Sequence, residues 1–318
     1  MTQFTQLISA DTAAGQGAEV HRFAHPAMGA VFEVFIAGKP NEYAGHAAGA
    51  AFEELDRLEA ELSRFIPASD VSHVNAVGAQ GPVRVGLDTF ACLAAAARVA
   101  ADTGGAFDVT IGRLLELWRP TDGSPPAPSA QALAEARDCT GMHLVTLDEA
   151  CHAVGLARDG VRIDLGGIGK GYAVDRMMDL VAEWSVAQTL IHGGQSTLLA
   201  RGRPPDKDGW TVALSDPAGK TLAAVCLRDR ALSGSGSPPG GRHIVDPRTG
   251  RLAEANLGAW ALTPQAALSD ALSTAFLVMS PEEVEAYCGG HPDVAAMVLT
   301  AEKGGGKVRR FGKWDTTS

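Results

Sequence analysis

The segment Asp164-Leu-Gly-Gly-Ile-Gly-Lys-Gly-Tyr-Ala-Val-Asp175 constrains this chain more than any other, because Gly166, Gly167, Gly169 and Gly171 are costly inside regular structure and natural in a tight turn. Upstream, Val161 to Leu165 reads as a short strand. Downstream, Lys170 to Trp184 reads as a helix, with Ala173, Met177, Val181 and Trp184 along one face. A junction of strand, glycine turn and helix leaves uncapped N–H groups at the positive end of the helix, and these suit an anion. It is not a Walker A loop: Asp164 stands where the first glycine is required and Lys170 is not followed by Ser or Thr. Nor does it fit G-x-G-x-x-G. Taken alone, it is either an anion cradle or a turn that needs small residues.

The remaining elements come in runs as well as in alternation, which predicts an α+β fold rather than a doubly wound sheet. Ala30 to Ala37, rich in β-branched and aromatic residues and closed by Gly38, reads as a strand. Phe52, Leu55, Leu58, Leu62 and Phe65 recur at helical steps, and Asp88 to Thr103 reads as a second helix stopped by Gly104-Gly105. Ser124-Pro-Pro-Ala-Pro-Ser129 is a loop. Short strands are expected at Thr189 to His192, Trp210 to Leu214 and Leu222 to Leu227, then a helix from Ala267 to Met279 and a last strand at Val294 to Thr300.

Charge and cysteine content narrow the partners. A net charge of -10 without a Lys/Arg cluster argues against nucleic acid, whose backbone is held by neutralising cations, but leaves room for a phosphate held by backbone N–H groups and a metal. The five cysteines are odd in number and form no C-x-x-C pair, as expected of free thiols in a reducing compartment. Residues 1–19 read as a flexible leader with no apolar signal region and no cysteine to take a lipid. A cytoplasmic location and no membrane anchor are therefore expected, with residues 20–318 forming one domain.

Several further segments carry chemistry. Asp270 and Thr274 are four residues apart, so on a helix they share a face and can offer two oxygens to a hard cation, or equally form a solvated face or a cap. In His243-Ile-Val-Asp-Pro-Arg-Thr-Gly250, Asp246-Pro247 starts a β-turn that Gly250 closes. His243 remains as a general base or a structural histidine. Thr103-Gly-Gly-Ala-Phe-Asp108 permits close approach of backbone to a ligand, with Phe107 available to cover a ring. Ser233-Gly-Ser-Gly-Ser237 does not fit G-x-S-x-G and carries little weight as a nucleophile.

Met28-Gly29 after His25, Leu62-Ser-Arg-Phe65, Gly104-Gly-Ala-Phe-Asp108, the glycine segment, His243 to Gly250 and Asp270 to Thr274 together resemble, in order and spacing, the ApbE-like FAD:protein FMN transferases. The resemblance implies two related T-fold-like halves forming one unit, with FAD held between them and one Mg²⁺ on its diphosphate. It implies transfer of FMN from FAD to a Thr or Ser hydroxyl of an acceptor flavoprotein, with release of AMP. Carried over by position, FAD contacts fall on Met28, Phe65, Ala106, Phe107, Asp108, Gly166, Tyr172 and Ile244. The metal ligands fall on Asp270, Thr274 and Gly169, the last through its carbonyl, and the base is His243. A Mg²⁺-dependent FAD pyrophosphatase and a non-catalytic FAD-binding protein are the alternative readings.

This chain departs from the family pattern in three places. Gln195 follows Gly193-Gly194 where an aspartate is usual, Ser235 to Arg242 is short and lacks an aromatic residue, and Phe65 replaces the common tyrosine. The last change keeps a stacking face and loses a hydroxyl.

Overall fold

The computed structural model describes residues 8–11, 19–119, 128–216, 218–236, 244–253, 256–302 and 305–314. The chain opens with β1 (Ile8–Asp11), β2 (Val20–Ala27), β3 (Ala30–Ala37) and the long helix α1 (Asn41–Leu62). Then come α2 (Asp70–Val77), β4 (Val83–Arg84), α3 (Leu87–Asp102), α4 (Gly112–Leu117) and α5 (Ala130–Arg137), with a short 3-10 turn at Met142–Leu144. Next are β5 (Val145–Asp148), β6 (Ala153–Leu156), α6 (Gly169–Glu183), β7 (Thr189–Gly193) and β8 (Thr197–Arg201). After β9 (Trp210–Ser215), β10 (Thr221–Leu227), β11 (Ala231–Gly236) and β12 (Gly258–Thr263), the chain ends in α7 (Ala266–Val278), α8 (Pro281–Gly290), β13 (Ala295–Glu302) and β14 (Gly305–Phe311). This is an α+β architecture. No helix among the described residues is long and apolar enough to cross a membrane.

The residues from 20 onward, expected as one domain, divide into two compact units. The first comprises Met1–Arg57, Lys170–Gly240 and Ala255–Ser318, and the second Leu58–Gly169 and Gly241–Glu254. Part of the expected flexible leader is a strand, since β1 pairs antiparallel with β9.

The first unit is built on an eight-stranded sheet in the order β14-β13-β12-β11-β8-β7-β3-β2, with every adjacent pair antiparallel. Along the chain, β2 and β3 form a hairpin, helices intervene, and β7 and β8 form another. The same order of hairpin, helices and hairpin recurs from β11 to β14. On one face, Leu190, Leu198, Leu232, Trp260 and Met297 share an apolar core with Trp210, Val212 and Val225 of the smaller sheet β1-β9-β10. α7 packs on the other face, where small Ala259 and Ala261 let it approach and Ser269 Oγ donates to the Ala261 carbonyl at 2.7 Å. Sandwiched this way, β12 is buried at every residue.

The second unit holds the three-stranded sheet β4-β6-β5 with α2 to α5. Asn75 ties its middle together: Nδ2 donates to the Ile163 carbonyl at 2.9 Å while Oδ1 accepts from the Ile163 N–H at 2.7 Å. Trp118 Nε1 donates to the Gly250 carbonyl at 2.8 Å, drawing the turn after Val245 against the apolar cluster of Leu114, Ala136 and Val245.

Several sequence expectations change. Val161 to Leu165 is not a strand: only Arg162 makes a bridge, parallel to Ile111, because no neighbouring strand continues the ladder. α1 ends at Leu62, so Phe65 lies in the turn beyond it and not on its buried stripe. The strand expected to be last is followed by β14, which pairs with it at the sheet edge. Residues 120–127, most of the expected Pro-rich loop, lie outside the described residues.

Candidate functional site

In the first unit, the site centres on the helix α7. Its N-cap residue, Gln265, makes no side-chain cap, and Asp175 of α6 supplies one from outside the helix. The two carboxylate oxygens accept the N–H groups of Ala266 (2.7 Å) and Ala267 (2.8 Å), satisfying donors that a helix start leaves open. Burial pushes the Asp175 pKa up to about 6 against the lowering effect of those bonds, and the negative charges of Asp179 and Asp270 push the same way.

One turn before Asp175, Gly171 permits the contact between α6 and α7. A Cβ there would stand 2.2 Å from the Ala266 carbonyl oxygen and 2.8 Å from Asp270 Cβ. With only hydrogen in the gap, the Gly171 N–H donates to Asp270 Oδ2 at 3.0 Å. Asp270 Oδ1 accepts from Thr197 Oγ1 at 3.2 Å, and Thr197 accepts from Ser233 Oγ at 3.2 Å. Asp270 is only 4% exposed. Beside it, Ser235 Oγ lies 2.9 Å from Ser273 Oγ and 3.3 Å from Thr274 Oγ1. Thr274 Oγ1 in turn donates to the Asp270 carbonyl at 3.3 Å, so the expected shared face of Asp270 and Thr274 is present.

These donors are all hard oxygens. Among the described residues, no group of three or more His, Cys, Asp or Glu could hold a metal ion. A cation beside Asp270 and Thr274 would meet one carboxylate and hydroxyls, completed by water, a donor set that fits Mg²⁺ and not a thiolate- or imidazole-seeking metal. Gly169, whose carbonyl is the third expected ligand, is buried and heads α6, two residues before Gly171.

The second unit carries the glycine turn and the exposed aromatic. Gly166 N–H donates to Asp164 Oδ1 at 2.7 Å, and Asp164 Oδ2 lies 2.7 Å from Arg64 Nε in an ion pair. The Arg64 guanidinium lies 4.6 Å from the centre of the Phe65 ring. Phe65 is 74% exposed, so its other face is open to a stacking partner.

After α3, Gly104 and Gly105 adopt positive φ, and Gly105 N–H closes the helix on the Ala100 carbonyl at 2.8 Å. Ala106 and Phe107 follow, both buried; Phe107 is 3% exposed, so it is packed inside and not available to cover a ring as expected. Asp108 is also buried. Its Oδ1 accepts from Thr110 N–H (2.8 Å) and Oγ1 (2.6 Å), and its Oδ2 from Met142 N–H (2.9 Å). Burial nonetheless raises its pKa above the ordinary carboxylate value. Asp108 and Gly105 line a cavity of about 400 Å³ with Arg137, Thr140, Pro247 and Arg248.

The other expected residues fall on separate elements. Met28 and Gly29 form the two-residue turn between β2 and β3, with φ of 50° and 69°; a non-glycine residue at Met28 in that region is strained. Tyr172 is half-buried on the first turn of α6. Ile244, half-buried, begins a short hairpin in which its carbonyl accepts from Ala253 N–H at 2.8 Å. Asp246 builds the expected turn there, accepting Gly250 N–H on its carbonyl (2.7 Å) and Arg248 N–H on Oδ1 (2.9 Å). His243 and the loop before it from residue 237 lie outside the described residues. Gln195 is exposed in the turn between β7 and β8, with φ of 65°. Sequence reasoning missed Asp175, Thr197 and Ser233. Asp175 had a signal, since Gly171 and Asp175 are four apart on one face of a helix, whereas Thr197 and Ser233 reach Asp270 only through sheet pairing.

The ApbE family matches residues 28–298. The chain is 31% identical over 204 residues to the FAD:protein FMN transferase of Escherichia coli K12, covering 59% of this chain and 58% of that protein's length. It is 30% identical over 283 residues to the FAD:protein FMN transferase of Treponema pallidum, covering 80% of this chain and 78% of that one. Among solved structures, the apo Pseudomonas stutzeri flavinyl transferase ApbE superposes with a TM-score of 0.82 at 28% identity, over 92% of this chain and 95% of that one. The Vibrio cholerae flavin transferase ApbE shares the fold, with a TM-score of 0.82 at 23% identity over 92% of this chain and 97% of its own. With the family match running from Met28, at the turn between β2 and β3, to Val298 in β13, the chain belongs to the ApbE family.

Proposed function

We propose that this protein transfers FMN from FAD to a Thr or Ser hydroxyl of an acceptor flavoprotein in a Mg²⁺-dependent reaction. The observation that carries the reading is the buried Asp270 carboxylate, set among hydroxyls on α7 in a chain of this family. Asp270, Thr274 and the Gly169 carbonyl would hold Mg²⁺, which when bound neutralises charge on the FAD diphosphate. Met28, Phe65, Ala106, Phe107, Asp108, Gly166, Tyr172 and Ile244 would contact FAD. Phe65 offers an open ring face, whereas buried Ala106 and Phe107 would act through their backbone. The repeated order of hairpin, helices and hairpin supports the two related T-fold-like halves of this reading.

His243 takes the proton of the acceptor hydroxyl. The hydroxyl oxygen bonds to the phosphorus of the FMN half, the diphosphate bond breaks, and AMP leaves with the bridging oxygen. The five free cysteines support a reducing, cytoplasmic setting.

The test is incubation of the protein with FAD, Mg²⁺ and flavoproteins from the same source, followed by mass spectrometry. An FMN adduct on a Thr or Ser, formed with one AMP per adduct, is the expected result. Free FMN and AMP at the same rate without any acceptor would identify a hydrolase, and tight FAD binding without AMP a carrier.

A further inference from the structure

The carboxylate of Asp270 is held from two elements at once, by the Gly171 N–H of α6 on Oδ2 and by the Thr197 hydroxyl of β8 on Oδ1, with Ser233 of β11 behind Thr197. A carboxylate only accepts, and each hydroxyl has one proton, so the relay has a single polarity: Ser233 donates to Thr197, and Thr197 donates to Asp270. Both hydroxyl residues are fully buried, on strands β11 and β8 beneath α7, where they cannot meet a substrate. A plain apolar core needs neither hydroxyl, and burying a polar group costs free energy unless it is hydrogen-bonded. Their burial makes sense if the Asp270 carboxylate must point one way.

We infer that Thr197 is a positioning residue for Asp270: its hydroxyl, backed by Ser233, sets the carboxylate in the orientation from which it binds a divalent cation. This rests on the reading of Asp270 as a metal ligand. Groups behind a metal ligand fix its rotamer and its basicity, and their loss weakens metal affinity without emptying the site.

The experiment is Mn²⁺ titration of the full chain, followed by the electron paramagnetic resonance signal of free Mn²⁺, which needs no turnover. Thr197→Val keeps the shape and deletes the hydroxyl, and should weaken Mn²⁺ binding by about 10- to 100-fold. Thr197→Ser, which restores the donor, should recover most of that affinity, a rescue that a purely packing role would not give. The double variant Thr197→Val/Ser233→Ala also removes the Ser233 hydroxyl that Thr197→Val leaves without its acceptor, and it should show the same weakening. Asp270→Asn is the reference and should abolish binding. Wild-type Mn²⁺ affinity in the folded Thr197 variants, with binding lost in Asp270→Asn, overturns the brace alone. Wild-type affinity in Asp270→Asn overturns the metal assignment beneath it.

Discussion

The backbone N–H of Gly171 donates to Oδ2 of Asp270 across 3.0 Å, and that bond exists only because residue 171 has no side chain. A methyl group would sit 2.2 Å from the Ala266 carbonyl, and neither helix backbone can yield cheaply. Gly171→Ala should therefore cost about 1–3 kcal/mol, the usual range for an overpacked interior. Denaturant unfolding measures it. A variant as stable as the wild type would show that α6 and α7 slide apart freely.

Asp175 makes stability depend on pH. Its pKa is raised to about 6 in the folded protein against an ordinary 3.8, so folding favours the protonated form. Its contribution is fully present below the ordinary value and is lost as pH rises through 6. The stability of the wild type relative to Asp175→Asn should accordingly fall by at most roughly 3 kcal/mol between pH 4 and pH 8. Parallel unfolding curves for the two proteins across that window would remove Asp175 as the cause.

Phe65 leaves one aromatic face open to solvent while Arg64 holds the other side of the ring. Phe65→Ala should weaken FAD binding by about tenfold, a typical loss for one stacked ring pair. Phe65→Tyr should leave it unchanged. Quenching of flavin fluorescence on titration reads both. Equal affinity of the alanine variant would place the flavin and adenine rings elsewhere.

His243 lies beyond the described residues, so its role is tested by kinetics. His243→Ala should keep FAD affinity and slow FMN transfer by roughly 10²- to 10⁴-fold, as expected for a lost general base. A variant with full activity would assign the proton to another group.

Legibility varied with how local each signal was. The strand Ala30 to Ala37 was read in full because its apolar run is bounded by Gly38, and α3, α6 and α7 fell within a residue of expectation because their periodicity is strong. β11, Ala-Leu-Ser-Gly-Ser-Gly, has little strand propensity of its own; it is a strand because β8 and β12 pair with it on both sides. Phe65 continues the helical spacing of Leu58 and Leu62, yet the helix stops at Leu62 and Phe65 N–H bonds to Ser63 Oγ instead. In the site, Asp270 and Thr274 were visible as a pair four apart on one helix. Thr197 and Ser233 were invisible because they reach Asp270 from distant strands, and no spacing in the sequence records that approach.

The pairing of β3 with β7 sets an order of events during synthesis. Glu33 faces His192 in register, and the whole second unit except Gly241–Glu254 is translated between them. The β2–β3 hairpin therefore leaves the ribosome with one edge unmatched and waits more than a hundred residues for its neighbour. Folding of the intervening segment shortens the effective loop that must close and lowers its entropy cost. We expect nascent chains stalled before β7 to expose the Glu33 edge to chaperones or to strand-to-strand aggregation, and chains stalled after β8 to have buried it.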